Sequence, residues 1–349
     1  MDHIKVLKRA WEITWRYRAL WIFGVILALT AARGGSGNGG PQYQFSGEDF
    51  APGARFHMPE IPPQTVSLLI AIGVGLACVI LILIVASTIA RYVAETALIR
   101  MVDDHEETGE QRSARQGFRL GWSRTALRLF LMDLLIILPI VVVFILLFLV
   151  AFAPLLAWTT KNTVAGVAGT VATTGLFFLV LLLAIVVGAA VSLLMQFFRR
   201  ACALEEMGVI KALRQGYAVV RQHLKDVAVM WLIMIGLGLA WLIALVFVML
   251  LLVALGAVLA GLPALLVGGL AGLVSKGAVP WILGTAVGLP IFILVVAVPA
   301  LFLNGLAEVF KSSVWTLTYR ELRALEGLQP KSPETDLGPL PEPEAPAVE

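Results

Sequence analysis

The chain has 349 residues, of which 59% are hydrophobic and 14% are charged, and its mean hydropathy is +0.91. A soluble domain carries about a quarter charged residues, so this composition excludes a soluble protein and indicates an integral membrane protein. The net charge of +3 is small, and its distribution along the chain points to membrane orientation and not to nucleic acid. Two cysteines, Cys78 and Cys202, give neither a disulfide framework nor metal-ligand spacing.

The apolar residues fall into runs that exceed roughly 20 residues, the length that crosses the hydrocarbon core as a helix. No run alternates as a barrel strand does, so the predicted fold class is all-α. We expect one membrane domain over residues 1–328, built as a bundle of six transmembrane helices. The predicted spans lie near residues 11–32, 66–90, 129–152, 175–198, 227–259 and 281–310.

The N-terminal residues place Ile4, Leu7, Trp11 and Trp15 at helical spacing among basic residues. This pattern predicts an interfacial amphipathic helix that continues into the first span. A cleaved signal peptide is the competing interpretation, because a basic region, a short apolar core and small residues follow one another, although the tryptophan-rich flank is atypical. The Gly- and Pro-rich residues 33–64 predict a flexible loop outside the membrane.

Three prolines, Pro139, Pro290 and Pro299, lie within predicted spans, where proline indicates a kink and not a stop. Residues Gly284 and Gly288 form a Gly-x-x-x-Gly pair, which predicts close approach of another helix. The glycine-rich segment from residue 261 to 280 is predicted either as an interfacial or re-entrant turn or as the end of span five. Both alternatives stay open at this level.

The basic residues predict the orientation of the chain. All but four of the 26 Lys and Arg residues lie before span one, between spans two and three, between spans four and five, or after span six. The positive-inside rule then places both termini in the cytoplasm. Residues 329–349 are rich in proline and acid, and we expect a disordered cytoplasmic tail there.

A short motif occurs before each odd-numbered span. Its three copies are Lys8-Arg9-Ala10-Trp11, Arg115-Gln116-Gly117-Phe118 and Arg214-Gln215-Gly216-Tyr217. A tripeptide recurs by chance in a chain of this length, but the matched position relative to the spans favours a repeat. We therefore predict three copies of a unit made of an amphipathic helix, a span, an outer loop and a second span.

The interval Arg199 to Asp226 is basic and carries apolar residues every three or four positions. We predict a helix in the headgroup layer that attracts anionic lipid at about 1 kcal/mol per basic residue. Its predicted lipid-headgroup contacts are Lys211, Arg214, Arg221 and Lys225. One possible role of this helix is to anchor the chain and set its topology. The more specific alternative is recognition of lipid headgroups or of a partner protein.

The stretch Glu205 to Tyr217, together with the opening LKRAWEITWRYRALWIFG, resembles the membrane domain found fused to some glycerophosphoryl diester phosphodiesterases. It is also similar to related stand-alone multi-span bacterial proteins without an assigned function. The resemblance implies a six-helix membrane domain in a bacterial cytoplasmic (inner) membrane. It does not imply phosphodiesterase activity, because the catalytic barrel of those enzymes is a separate soluble domain.

Few polar residues interrupt the apolar runs, and ionisable ones in a span are candidates for function. Asp133, Asn304 and Glu308 form the predicted intramembrane polar cluster, provided that they converge in the bundle core. The alternative is that they sit at the cytoplasmic ends as helix-to-helix contacts, since Asp133 lies close to Arg128 in sequence and Glu308 close to Lys311.

The sequence contains no zinc-protease, nucleophile-elbow or phosphate-loop motif, so we expect no enzyme, no cofactor and no metal. The leading hypothesis is a non-enzymatic accessory or membrane-organising protein. Its expected partners are the bilayer, anionic lipids, and a protein partner or a second copy of the chain. The alternative is a transporter or channel for a small or lipidic solute, because proline-broken helices are compatible with moving parts.

Overall fold

The computed structural model describes residues 1–31, 63–160, 162–275 and 277–328, and every regular element in these ranges is helical, which confirms the predicted all-α class. A 3-10 helix, Ala153–Thr160, extends the fifth of the α-helices. The predicted outer loop 33–64 and tail 329–349 lie outside the described residues, apart from Pro63 and Gln64 at the start of α3. In chain order the helices are α1 (His3–Arg16), α2 (Ala19–Ala31), α3 (Pro63–Thr108), α4 (Ala114–Gly121), α5 (Arg124–Phe152), α6 (Thr163–Leu204), α7 (Val209–Gln222), α8 (Leu224–Val274) and α9 (Val279–Leu328).

Five helices are long and apolar enough to cross a membrane within the described ranges: α3, α5 with its 3-10 extension, α6, α8 and α9. The pair α1 and α2 adds a sixth crossing if it is counted as one bent span. The described part of the chain therefore has five, or up to six, helices that could span a bilayer.

The first predicted span, near residues 11–32, is not one straight helix. α1 and α2 meet at Tyr17 with a bend of 98°. The indole Nε1 of Trp21 donates to the carbonyl oxygen of Thr14 at 2.7 Å and so satisfies a carbonyl at the end of α1. Alone, the 13 residues of α2 are about 20 Å long, which is shorter than the hydrocarbon core.

Three long helices extend beyond the predicted spans into the charged intervals that follow those spans. α3 continues past residue 90 to Thr108, α6 past residue 198 to Leu204, and α9 past residue 310 to Leu328. Charged side chains in these extensions pair between helices, which replaces the water that would otherwise solvate them. Arg320 of α9 binds Asp103 of α3, and Arg9 Nε of α1 lies 2.7 Å from Glu106 Oε1 of α3.

The glycine-rich segment from residue 261 is the end of a continuous helix and not a re-entrant turn. α8 spans 51 residues to Val274, about 76 Å, and includes Pro263. It packs along α9, where a Cβ built on Gly284 would lie 2.8 Å from the carbonyl oxygen of Ala264. The close helix approach predicted at Gly284 and Gly288 is therefore confirmed.

The buried core lies at one end of the molecule, where α1, α4 and α7 meet the adjoining ends of the longer helices. We call this end the short-helix side. Tyr17, Leu98, Phe197, Met230 and Leu322 are among its fully buried large side chains. In the most apolar 18-residue window of each long helix, at most 11% of the residues are buried. The spans thus direct most of their apolar side chains outward.

Candidate functional site

Asp133 is buried on the short-helix side, near the beginning of α5, with 3% of its surface exposed. Arg199 of α6 binds both carboxylate oxygens: Nη2 donates to Oδ2 at 2.5 Å, and Nε donates to Oδ1 at 3.2 Å. Tyr92 of α3 donates its hydroxyl hydrogen to Oδ2 at 3.0 Å. Charge-assisted bidentate bonds of this kind fix geometry as well as energy, so Asp133 links α3, α5 and α6.

Arg199 also binds a second carboxylate, that of Glu95 on α3. Its Nη1 donates to Glu95 Oε1 at 2.7 Å. The side chains of Arg199 and Glu95 are 14% and 12% exposed, so both ions are largely shielded from solvent. One guanidinium group therefore joins two acids that lie on different helices.

Arg200 brings a second positive charge and is 2% exposed. Its Nη1 donates to the backbone carbonyl and the side-chain oxygen of Gln196 at 2.7 and 2.8 Å, and its Nη2 donates to the carbonyl oxygen of Ser312 on α9 at 3.3 Å. Its Nε has no hydrogen-bond partner in the part of the chain that the structure describes. We call Tyr92, Glu95, Asp133, Arg199 and Arg200 the charge cluster.

The charge cluster balances two carboxylates against two guanidinium groups. Taking ions out of water costs several kcal/mol each, and good pairing geometry offsets this cost. Removing one partner leaves an uncompensated buried charge and costs about 3–5 kcal/mol. The cluster therefore fixes how α3, α5 and α6 meet, and Arg200 connects them to α9. Over residues 1–31, 63–160, 162–275 and 277–328, no group of three or more His, Cys, Asp or Glu could hold a metal ion.

The structure pairs Asp133 with Tyr92 and Arg199 and does not join it to Asn304 or Glu308. Asn304 is exposed, and its amide nitrogen donates to the carbonyl oxygen of Ala300 in its own helix at 3.0 Å. Glu308 is half-buried on α9. The packing explains the separation, because α5 lies mainly against α6 and α3, whereas α9 lies mainly against α8 and α2.

Sequence reasoning did not identify Arg199 and Arg200 as members of a buried site, because both were assigned to a basic surface interval. Arg200 is buried and Arg199 half-buried in α6, and Arg199 binds carboxylates that lie 66 and 104 residues earlier in the chain. Arg128, the expected neighbour of Asp133, instead donates to the carbonyl oxygen of Glu206 at 2.6 Å. One signal was present in the sequence: an acid inside an apolar run requires a counter-ion.

The four basic residues predicted to contact lipid headgroups are all exposed, and none forms an ion pair with another described residue. They are Lys211, Arg214, Arg221 and Lys225. The interval predicted as one helix is divided among the end of α6, α7 and the start of α8. Its predicted apolar face is not buried throughout: Val220 is buried, whereas Ile210 is 77% and Leu224 57% exposed. α7 packs on α6 instead through small residues, since a Cβ on Gly216 would lie 2.6 Å from Phe198 Cδ1.

The three copies of the pre-span motif lie in α1, α4 and α7 and share one pattern of exposure. The first, basic position is exposed in each copy, and the third, small position is buried. The fourth, aromatic position is exposed in each copy, by 55%, 41% and 54%. These aromatic residues are Trp11, Phe118 and Tyr217. Each short helix thus packs inward through a small residue and presents a basic and an aromatic side chain outward.

The helical fold, with its apolar helices long enough to cross a bilayer, is typical of membrane proteins of the α-helical class. Over residues 2–321 the chain matches a family described as "Family of unknown function (DUF7544)", and it belongs to that family. No curated protein and no solved structure matches the chain. The resemblance to membrane domains associated with glycerophosphoryl diester phosphodiesterases stays a prediction.

Proposed function

We propose that this protein is a non-enzymatic, membrane-organising or accessory protein whose short helices bind anionic lipid headgroups. The observation that carries the proposal is the shared exposure pattern of α1, α4 and α7. In all three, a basic and an aromatic side chain point away from the buried core, next to a small residue that packs inside it. An amphipathic helix with this arrangement suits the boundary between headgroups and acyl chains.

The electrostatics of α7 support this proposal most directly. Its exposed basic residues lack ion-pair partners within the described residues, so their charge is available to lipid phosphates. Each basic residue near an anionic surface contributes about 1 kcal/mol of attraction. Exposed Ile210 and Tyr217 next to these charges suit the apolar part of the same boundary.

The same proposal includes the topology. The helices form three consecutive groups, α1–α3, α4–α6 and α7–α9, each of which begins with a short helix. We propose that the groups are three copies of one unit, with six crossings and both termini in the cytoplasm of a bacterial cell. The distribution of Lys and Arg supports this orientation. Protease accessibility of tags at both termini, compared between right-side-out and inverted vesicles, measures it.

Lipid enrichment around the reconstituted protein tests the function. The full chain is placed in nanodiscs of phosphatidylcholine and phosphatidylglycerol, and spin-labelled lipids of each type report the preference of the protein for one headgroup. We expect wild type to enrich phosphatidylglycerol, and we expect a variant with glutamine at Lys211, Arg214, Arg221 and Lys225 to lose most of this preference.

A charge-conserving variant is the matched control. Lys211→Arg together with Lys225→Arg keeps the positive charge of α7 and of the first turn of α8, and should leave the lipid preference unchanged. If the fourfold glutamine variant keeps the wild-type preference, headgroup recognition by α7 is excluded and only anchoring is left for this helix.

A transporter is the second candidate, because the charge cluster lies on helices long enough to cross a membrane, and intramembrane ionisable residues often mark ion pathways. It ranks second because few polar residues lie within the spans, whereas a transport pathway needs polar groups to line it. Proteoliposomes loaded with a pH-sensitive dye test it. Proton flux above that of protein-free liposomes, and its loss in Asp133→Asn, would favour transport over the accessory role.

A further inference from the structure

A groove of about 530 Å³ lies between α3 and α5 on the short-helix side. Apolar side chains line most of it, among them Ile84, Val85 and Ile89 on α3 and Leu127 and Phe130 on α5. On α3 the groove begins within the apolar run, so one end lies at the depth of acyl chains. The other end reaches the turn between α4 and α5.

Polar groups occupy that second end. Trp122, which is 73% exposed, and Ser123 line the groove there. Ser123 is the N-cap residue of α5, but its side chain does not cap the helix, and its buried Oγ has no hydrogen-bond partner in the described part of the chain. A buried hydroxyl without a partner costs stability, so Ser123 would gain a hydrogen bond if its side chain turned towards a ligand in the groove. Gly121 holds the turn close to α3, since a Cβ on it would lie 2.3 Å from the carbonyl oxygen of Val93.

The charges beside this end are positive. Three arginines are next to groove-lining residues in the chain or one turn away, and none forms an ion pair or hydrogen bond with another described residue; they are Arg91, Arg119 and Arg124. The nearest acids along the two groove helices, Glu95 and Asp133, are bound to Arg199. The described lining of the groove holds no charged residue, so the positive charge lies beside its polar end and not within it.

We propose that this groove binds one anionic phospholipid, with an acyl chain between α3 and α5 and its phosphate at Ser123 and Arg124. The inference rests on the proposed membrane-surface function, which places the mouth of the groove at headgroup level, and it adds a specific site to that function. Trp122 suits the same level, where tryptophan is enriched. A second groove, of about 610 Å³ between α8 and α9, has no arginine next to or one turn from its described lining residues in the chain and does not match this ligand.

Native mass spectrometry of the full chain, released from nanodiscs of phosphatidylglycerol and phosphatidylcholine, counts the lipids that stay bound. Thr88 lies in the groove wall, so Thr88→Trp should fill the space of the acyl chain. We expect wild type to retain one phosphatidylglycerol that Thr88→Trp does not retain. The matched control is Leu182→Trp, at a 61% exposed position of α6 outside the groove, which should behave as wild type.

A second variant leaves the groove open and keeps the inference testable if Thr88→Trp fails to fold. Arg91→Gln with Arg124→Gln removes two charges at the mouth and should weaken the preference for phosphatidylglycerol over phosphatidylcholine by roughly 30-fold, at about 1 kcal/mol per charge. Equal lipid retention in wild type, a folded Thr88→Trp and the double glutamine variant overturns the groove site. Retention without headgroup preference also overturns it.

The groove site and lipid recognition by α7 can be tested independently of each other. If the groove variants change the retained lipid while the α7 variants leave lipid enrichment unchanged, the groove site stands and surface recognition by α7 is lost. The opposite result keeps the function of α7 and removes the specific site.

Discussion

At the short-helix side the helices are joined by buried side chains and ion pairs, whereas at the far end of α8 and α9 they are joined by close contact between small residues. We call the far end, residues 257–292, the distal hairpin. Gly284 and Gly288 bring its two helices together there. The difference follows from the surroundings: water drives burial at the membrane surface, but lipid offers no hydrophobic gain for helix association and leaves close packing as the main attraction.

Breaking the charge cluster should have the largest effect. Asp133→Ala leaves Arg199 with Glu95 as its remaining carboxylate partner, and we expect the free energy of unfolding to fall by about 3–5 kcal/mol. Cys202 is fully buried in the same core, so its labelling by a water-soluble maleimide, in a Cys78→Ser background, should accelerate. Asn304→Ala is the control, since Asn304 is exposed and bonds within its own helix. If Asp133→Ala and Asn304→Ala changed the free energy of unfolding and the labelling rate equally, the charge cluster would not be what stabilises this end of the molecule.

Next in size is the contact between α2 and α9. A Cβ on Gly24 would lie 2.3 Å from the carbonyl oxygen of Gly305. Gly24→Leu should therefore push the helices apart and cost about 1–3 kcal/mol in the free energy of unfolding, measured in detergent by thermal or chemical denaturation. Gly188→Leu, at a site with nothing within 4 Å of a Cβ, should be tolerated. A similar loss in both would show that α2 and α9 do not meet through Gly24.

A substitution in the distal hairpin should change the structure only near that hairpin. Gly284→Leu meets the backbone of Ala264, and we expect α8 and α9 to separate there at a cost of about 1 kcal/mol, the lower end of overpacking effects. Distances between spin labels on the two helices measure the separation. Cys202 labelling should stay at the wild-type rate, and Gly261→Leu, with open space around its Cβ, should leave the distances unchanged. Faster Cys202 labelling in Gly284→Leu would show that the two ends are coupled.

The smallest effect on stability is expected at the exposed basic residues. Lys211→Gln should change the free energy of unfolding by no more than about 0.5 kcal/mol, as is usual for surface substitutions away from special features. The melting temperature in a neutral detergent checks this. A large loss would mean that Lys211 supports the fold and would weaken its assignment to lipid binding.

The helical class, the apolar runs and the Gly284 contact could be predicted because each depends on residues close together in sequence. The length of a run shows that it can cross a bilayer, and a Gly-x-x-x-Gly pair shows where a helix can approach. The division of the first span at Tyr17 was not predictable in this way. The bond from Trp21 to Thr14 that closes the bend depends on the path of the chain after the break.

The charge cluster could not be predicted from the sequence, for a related reason. Arg199 follows an apolar run, and basic residues in that position usually face water or snorkel towards it. Its burial depends on Asp133 and Glu95, which other helices bring to it. Only the isolated acid at Asp133 indicated that a partner was needed, and nothing in its spacing identified that partner.

The length of α8 has a consequence for its position in the membrane. Its 51 residues extend about 76 Å, against a hydrocarbon core of about 30 Å. Between Asp226 and residue 276 the sequence carries no charge to mark where the bilayer ends. Fitting all of it into the core would need a tilt of about 67°, beyond the usual range of up to about 40°. No hydrocarbon core in the usual range of about 27–33 Å matches this length, so we expect part of the distal hairpin to extend beyond the core or α8 to bend at Pro263.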